Sequence, residues 1–263
     1  FNCGKGAVFT KGGKNELEAC IADGRTGLAG SATLLHRVKN PIRLARQVLL
    51  HSPHFFLGGP SAEEFAASRQ LEIVDPVYFW TPYRWRQHIE GDDREANRKG
   101  GRTESAALDA FASVAVGDVH PKGTVGAVAL DHSGNIAAAT STGGRNNKWD
   151  GRIGDTPILG AGSYAPIGNS CGVSCTGNGE FYIQYAVAHD VCARMRYLSE
   201  DVRTAGTSVV EELRSVGGEG GLIALDAQGN IAMPFNTSGM YRGYCRAGEK
   251  PRVFIFPDED EGL

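Results

Sequence analysis

GAVALDHSGNIAAA, residues 126–139, decides the fold class: two apolar runs are joined by a polar turn. Asp131, Gly134 and Asn135 suit that turn, since an Asx side chain can bond its own backbone and glycine accepts a positive φ. The runs are apolar nearly throughout instead of alternating, so both faces of the hairpin should be covered. The design returns as GLIALDAQGNIAM, residues 221–233, with Asp226, Gly229, Asn230 and Ile231 in the corresponding places. Any two buried hairpins with Asx–Gly turns can look alike. Either way, strands buried between helical layers give a layered α+β architecture.

Working outward, Asn40-Pro41 opens a helix with a cap and a first-turn proline, and Ile42, Ala45, Val48 and Leu49 form its stripe up to Pro53. Ser61 with Glu64 suggests a capping box for a second helix to about Gln70. Residues 71–80 read as a short strand and turn. Residues 88–105 (HIEGDDREANRKGGRTES) are charged and nearly free of apolar side chains, which predicts an exposed, mobile loop. Two more helices are expected, from about Glu180 to Tyr197 and from Ser199, as cap, through Leu213.

Composition excludes several classes. A net charge of −3 over 263 residues gives no basic field for a polyanion, so nucleic acid is not an expected partner. No apolar stretch approaches the ~20 residues of a membrane helix, and FNCGKGAVFT lacks the flank and apolar run of a signal peptide. Cys3, Cys20, Cys171, Cys175, Cys192 and Cys245 include no C-x-x-C pair, so reduced thiols in a cytoplasmic protein are expected. The seven histidines show no H-x-x-x-H or H-E-x-x-H spacing and read as surface or cap residues. The 36 glycines predict tight turns or backbone brought close to a ligand.

Four polar, glycine-rich segments stand among the buried elements: Gly123-Thr124-Val125-Gly126, Ser141-Thr142-Gly143-Gly144, Gly151-Arg152-Ile153-Gly154-Asp155 and Cys175-Thr176-Gly177-Asn178-Gly179-Glu180. Singly each is weak. A threonine before a strand is usually a β-former, and an Arg–Asp pair is usually a surface ion pair worth little. In this order they resemble the plant-type L-asparaginase/isoaspartyl peptidase family of N-terminal-nucleophile hydrolases. The resemblance runs through GTVGAVALDHSGNIAAATSTGG, GRIGDTPILGAGSYA, SCTGNGE and GGLIALDAQGNIAMPFNTSGMYRG, and backward through NPIRLARQVLLHSPH, ELEACIADG and FNCGKGAVFT. It covers all but the region around residues 80–120.

The resemblance implies a four-layer αββα sandwich and self-cleavage between Gly123 and Thr124, giving portions 1–123 and 124–263 of one domain. Thr124 would be the nucleophile, Thr142 its neighbour, and Thr176 with Gly177 the oxyanion hole. Arg152 would grip a substrate α-carboxylate and Asp155 its α-ammonium. Asn2 would lie against the nucleophile and Gly179 would line the pocket. The chemistry is sound on its own terms: a threonine hydroxyl needs a base, and cleavage frees an α-amine of pKa ~7.7–8.0 on the same residue. Implied substrates are L-asparagine and β-aspartyl dipeptides, with no organic cofactor and a homodimer of cleaved units. Phe1, Cys3 and Lys5 match the end of a family sodium loop. The family's opening strand and glycine-rich turn have no counterpart before Phe1, so an N-terminal truncation is expected. A glycosylasparaginase is the near rival, though that subfamily tends to have Asp before the nucleophile and T-G-D-G-D where this chain has TGNGE. A truncated, non-catalytic family member is the third reading.

Overall fold

The computed structural model describes residues 1–98, 123–168 and 170–259. Two sheets face each other. The first has the order β3-β2-β1-β5-β4, built from β1 (Leu17–Asp23), β2 (Leu28–Leu35), β3 (Phe56–Gly58), β4 (Val125–Leu130) and β5 (Ile136–Thr142). All its pairings are antiparallel except β2 with β3. The second is antiparallel, in the order β6-β7-β8-β9: β6 (Ser163–Tyr164), β7 (Cys171–Gly177), β8 (Gly220–Asp226) and β9 (Ile231–Ala232). β4 and β5 pack on β7, and β4 also on β8. Ile136, Ala138, Ala165 and Leu225 fill the space between the sheets.

Helices cover the outer faces. α1 (Pro41–His51) and α2 (Gly59–Ser68) lie on the first sheet. α3 (Pro82–Arg98) follows a 3-10 turn at Pro76–Phe79. After β7 come α4 (Gly179–Gln184), α5 (Val187–Leu198) and α6 (Val202–Ser215), and the last two pack on the second sheet. The fold is α+β, with the layers ordered αββα. A hairpin, β10 (Arg242–Tyr244) with β11 (Arg252–Phe254), and a 3-10 turn at Pro257–Glu259 complete the described chain.

α1 forms as its sequence dictates: the Asn40 side chain accepts from the Arg43 N–H, and Leu44, Ala45 and Val48 are buried. Both Asx–Gly turns form, with Gly134 and Gly229 at φ of 82° and 79°. β5 and β8 are buried along most of their length. β4 is not, which corrects the expectation of two covered faces: it is an edge strand, and Val125, Ala127 and Ala129 are exposed on its outward row.

Several boundaries also move. α2 starts at Gly59, with Gly58 as its cap, so Ser61 and Glu64 do not form a capping box. Residues 71–80 make only an isolated Val38–Ile73 bridge before the 3-10 turn. His88–Arg98, expected to be a loop, continues α3; the remainder of that segment lies outside the described residues. Periodicity failed there because polar residues dominate, yet Arg84, Gln87 and His88 are buried against the domain. The 180–197 helix is two helices, broken where Ala186 turns left-handed. Ser199 closes α5, and Asp201 is the cap of α6.

The thiol expectation is corrected too. Cys171 starts β7, Cys192 lies on the buried side of α5, and with Cα atoms 5.9 Å apart they form a disulfide. Cys3, Cys20, Cys175 and Cys245 are free. No described helix is long and apolar enough to cross a membrane.

Candidate active site

Hairpin register builds the centre of the site. Val125 pairs with Ser141, so Thr124 stands beside Thr142, the last residue of β5. The Thr124 hydroxyl donates to the Thr142 hydroxyl at 3.2 Å. Thr142 Oγ1 also accepts from the Gly144 N–H at 3.1 Å and from Asn2 Nδ2 at 3.4 Å. Asn2 is buried and tied on every side. Its Nδ2 donates to the Gly144 carbonyl at 2.7 Å, and its Oδ1 accepts from the Val8 N–H at 2.8 Å. Its backbone N–H donates to the Gly123 carbonyl at 3.2 Å, polarising the peptide bond just before Thr124.

Arg152 and Asp155 sit close by. Nε and Nη2 of Arg152 both meet Glu180 Oε1 at 2.9 Å, which fixes the guanidinium plane. Asp155 Oδ2 is buried without a hydrogen-bond partner among the described residues. Burial, reinforced by the charge of Glu18, pushes the Asp155 carboxyl up to about 7. An orphaned buried carboxylate oxygen facing a cleft is a receptor for a cation or donor. Gly179 is needed beside this pair: a Cβ there would stand 2.9 Å from Asp155 Oδ1 and 3.0 Å from an Arg152 nitrogen.

Asn2, Gly123, Thr124, Thr142, Arg152, Asp155 and Gly177 line one cleft. Thr176 stands one residue before Gly177 at the end of β7 and is partly exposed. With the chain continuous through Gly123 the cleft holds about 40 Å³, room for a few waters and far below the ~300–1,000 Å³ of a ligand pocket. A larger cavity of about 210 Å³, lined by Val210, Met233 and Phe235 among others, lies away from these groups. Phe1, Cys3 and Lys5 lie on the loop around Asn2; Phe1 is 92% exposed, and the Lys5 ammonium sits over the Tyr78 ring at 5.8 Å.

Three supporting residues were missed by sequence reading. Glu18, buried, accepts from the Gly154 N–H at 3.3 Å and from the Thr33 hydroxyl at 3.3 Å. Glu16 accepts from the Gly151 N–H at 2.9 Å. Lys148 Nζ donates to the Glu16 carbonyl at 2.8 Å. Burial raises the Glu18 carboxyl and lowers the Lys148 ammonium, while their mutual attraction opposes both shifts. These groups strap the Gly151–Asp155 loop to β1. The signal was available: ELEAC alternates carboxylates with apolar residues at the strand period, and a strand inside a layered fold has no solvent face for them.

No described histidine lines the cleft. His88 is buried, against the surface reading, packed on Phe9 and Trp85 with Nδ1 2.6 Å from Asn147 Oδ1. No group of three or more His, Cys, Asp or Glu could hold a metal ion among the described residues.

A family model described as Asparaginase matches residues 1–255. The chain belongs to the asparaginase family. It is 45% identical over 262 residues to an isoaspartyl peptidase of Escherichia coli strain K12, covering 99% of this chain and 78% of that protein. It is 39% identical over 255 residues to a plant-type L-asparaginase of Pyrobaculum calidifontis, covering 95% and 79%. An isoaspartyl peptidase/L-asparaginase of Danio rerio is 34% identical over 253 residues, covering 95% and 75%. In this asparaginase-family chain the four glycine-rich segments converge on Thr124.

Proposed function

We propose that the chain is an amidohydrolase that releases aspartate from L-asparagine and from β-aspartyl dipeptides, with Thr124 as nucleophile after self-cleavage at Gly123-Thr124. The observation that carries the reading is the Thr124–Thr142–Asn2 cluster, built around the carbonyl of the bond to be cut. Relatives named isoaspartyl peptidase, L-asparaginase or both support the substrate class.

Maturation begins when the Thr124 hydroxyl attacks the Gly123 carbonyl. The Asn2 N–H meets the charge that develops on the oxygen. The C–N bond breaks, the acyl group passes to the hydroxyl, and water hydrolyses the ester. Residues 1–123 and 124–263 then form one domain in two pieces. The freed α-amine serves as base for the Thr124 hydroxyl. In turnover, Arg152 binds the substrate α-carboxylate and Asp155 its α-ammonium, which gives the orphaned Oδ2 its partner. Thr124 attacks the side-chain carbonyl, and Thr176 and Gly177 at the end of β7 receive the alkoxide. The leaving amine departs protonated, and water releases aspartate.

Three further elements complete the reading. The backbone carbonyls of Phe1, Cys3 and Lys5 accept no hydrogen bond among the described residues, which leaves them free for a hard cation such as sodium that would stiffen the Asn2 loop. Two cleaved units pair as a homodimer. A cytoplasmic compartment is the third, and the Cys171–Cys192 disulfide, its cysteines 0% and 4% exposed, is the observation that weighs against it.

The test is aspartate release from L-asparagine and β-aspartyl-leucine by purified chain. Release from both supports the reading, and release from neither by fully cleaved protein overturns it.

A further inference from the structure

Arg84 on α3 is 8% exposed. Its Nε donates to the Gly6 carbonyl at 2.9 Å, and its Nη1 to Gln87 Oε1 at 2.8 Å. No carboxylate pairs with it among the described residues, and burial draws its pKa down. A buried cation without a counter-charge is costly. Its remaining edge points at the site: a Cβ on Gly123 would lie 3.4 Å from Arg84 Nη2. Arg84 and Gln87 line the same cleft as Thr124, on the Asn2–Gly123 side, whereas Arg152 and Asp155 flank Gly144 and Gly179.

Arg145 also lines the cleft, near enough to Glu180 to help lower its carboxyl pKa. Asn146, whose Nδ2 donates to the Gln87 carbonyl at 3.0 Å, has a buried Oδ1 without a partner. This wall therefore presents cationic and polar groups with unmet bonding capacity. A substrate held at Arg152 and Asp155 presents its side-chain carbonyl to Thr124, so the departing group must extend toward Arg84. Ammonia leaving asparagine carries no anion to meet it. The amino acid leaving a β-aspartyl dipeptide carries a carboxylate, which a guanidinium fork fits.

We propose that Arg84 receives the free carboxylate of the leaving amino acid, so that the site selects β-aspartyl dipeptides by leaving-group charge. The inference rests on the hydrolase reading above. Its test compares kcat/KM of the cleaved protein for β-aspartyl-leucine, β-aspartyl-leucine amide and L-asparagine.

For the unaltered protein the free acid should exceed its amide by roughly ten- to hundredfold, the worth of one charge-assisted hydrogen bond. Arg84→Met should bring that ratio near unity, and Arg84→Lys should keep part of it. An acid-to-amide ratio of one in the unaltered protein overturns the inference while asparagine turnover still upholds the hydrolase. A ratio unchanged in Arg84→Met, with all three substrates slowed alike, also overturns it; Arg84 would then only brace α3 or hold the new Gly123 carboxylate. If Arg84→Met does not self-cleave, the unaltered ratio and Arg84→Lys decide. Failure on all three substrates overturns the hydrolase reading and the inference with it.

Discussion

Glu180 holds Arg152 through two nitrogens at 2.9 Å, so the guanidinium arrives at the cleft already oriented. Lysine would keep the charge and lose the fork. Arg152→Lys should lower kcat/KM roughly ten- to hundredfold on asparagine and β-aspartyl dipeptides alike; unchanged steady-state kinetics on both would remove Arg152 from the site. Asp155 carries a pH prediction. Its carboxyl is pushed up to about 7, so the ammonium-binding anion is lost as pH falls through that value. A limb near 7 should appear in kcat/KM, which reports the free enzyme. In kcat only the limb of the α-amine base, ~7.7–8.0 unperturbed, should remain, because a bound ammonium keeps the carboxylate ionised; a second limb retained in kcat would contradict the assignment. Gly179→Ala should raise KM, since its Cβ meets both Asp155 and Arg152; an unchanged KM would show that the pair can give way. That Thr124, Thr142, Arg152 and Asp155 line one cleft was legible because order and spacing of short motifs survive in one dimension. Glu16 and Glu18 left a signal in ELEAC, but their partners and Lys148 did not, because those bonds join the β1 region to a loop more than a hundred positions away.

At the scale of elements, the reading succeeded where local chemistry governs and failed where packing does. Asn40-Pro41 started α1 as the cap rules require, and both Asx–Gly turns closed their hairpins. Ala186 breaks the 180–197 segment without a glycine or proline to announce it, and polar α3 is held by contacts its own sequence does not display. The α6 cap shows how fine the distinction is. Two candidates stand two residues apart, and the Asp201 carboxylate is the one that accepts from the Arg203 and Thr204 N–H groups, each at 2.9 Å. Asp201→Ala should therefore cost ~0.5–2 kcal/mol, lowering Tm by a few degrees in a thermal melt; an unchanged Tm would mean that α6 is fixed by its buried face alone.

Across the whole molecule, two facing sheets bring strand ends from both halves of the sequence to one place: Asn2 before β1, Thr124 before β4, Thr142 at the end of β5 and Gly177 at the end of β7. A layered α+β architecture followed from the apolar hairpins and the αββα order from the family resemblance, while the exposed outer row of β4 depended on what lies beside that strand, which its own residues cannot report. The cleft of about 40 Å³ has Gly123 in its wall, and the proposed scission at Gly123-Thr124 would widen it. Cleavage is thus the central claim, and intact-mass analysis with N-terminal sequencing of the purified chain during incubation tests it most directly. The account predicts loss of the full-length mass and a new chain beginning Thr-Val-Gly-Ala, with Thr124→Ala staying whole under the same conditions. A Thr124→Ala chain that still parts between residues 123 and 124 would contradict it.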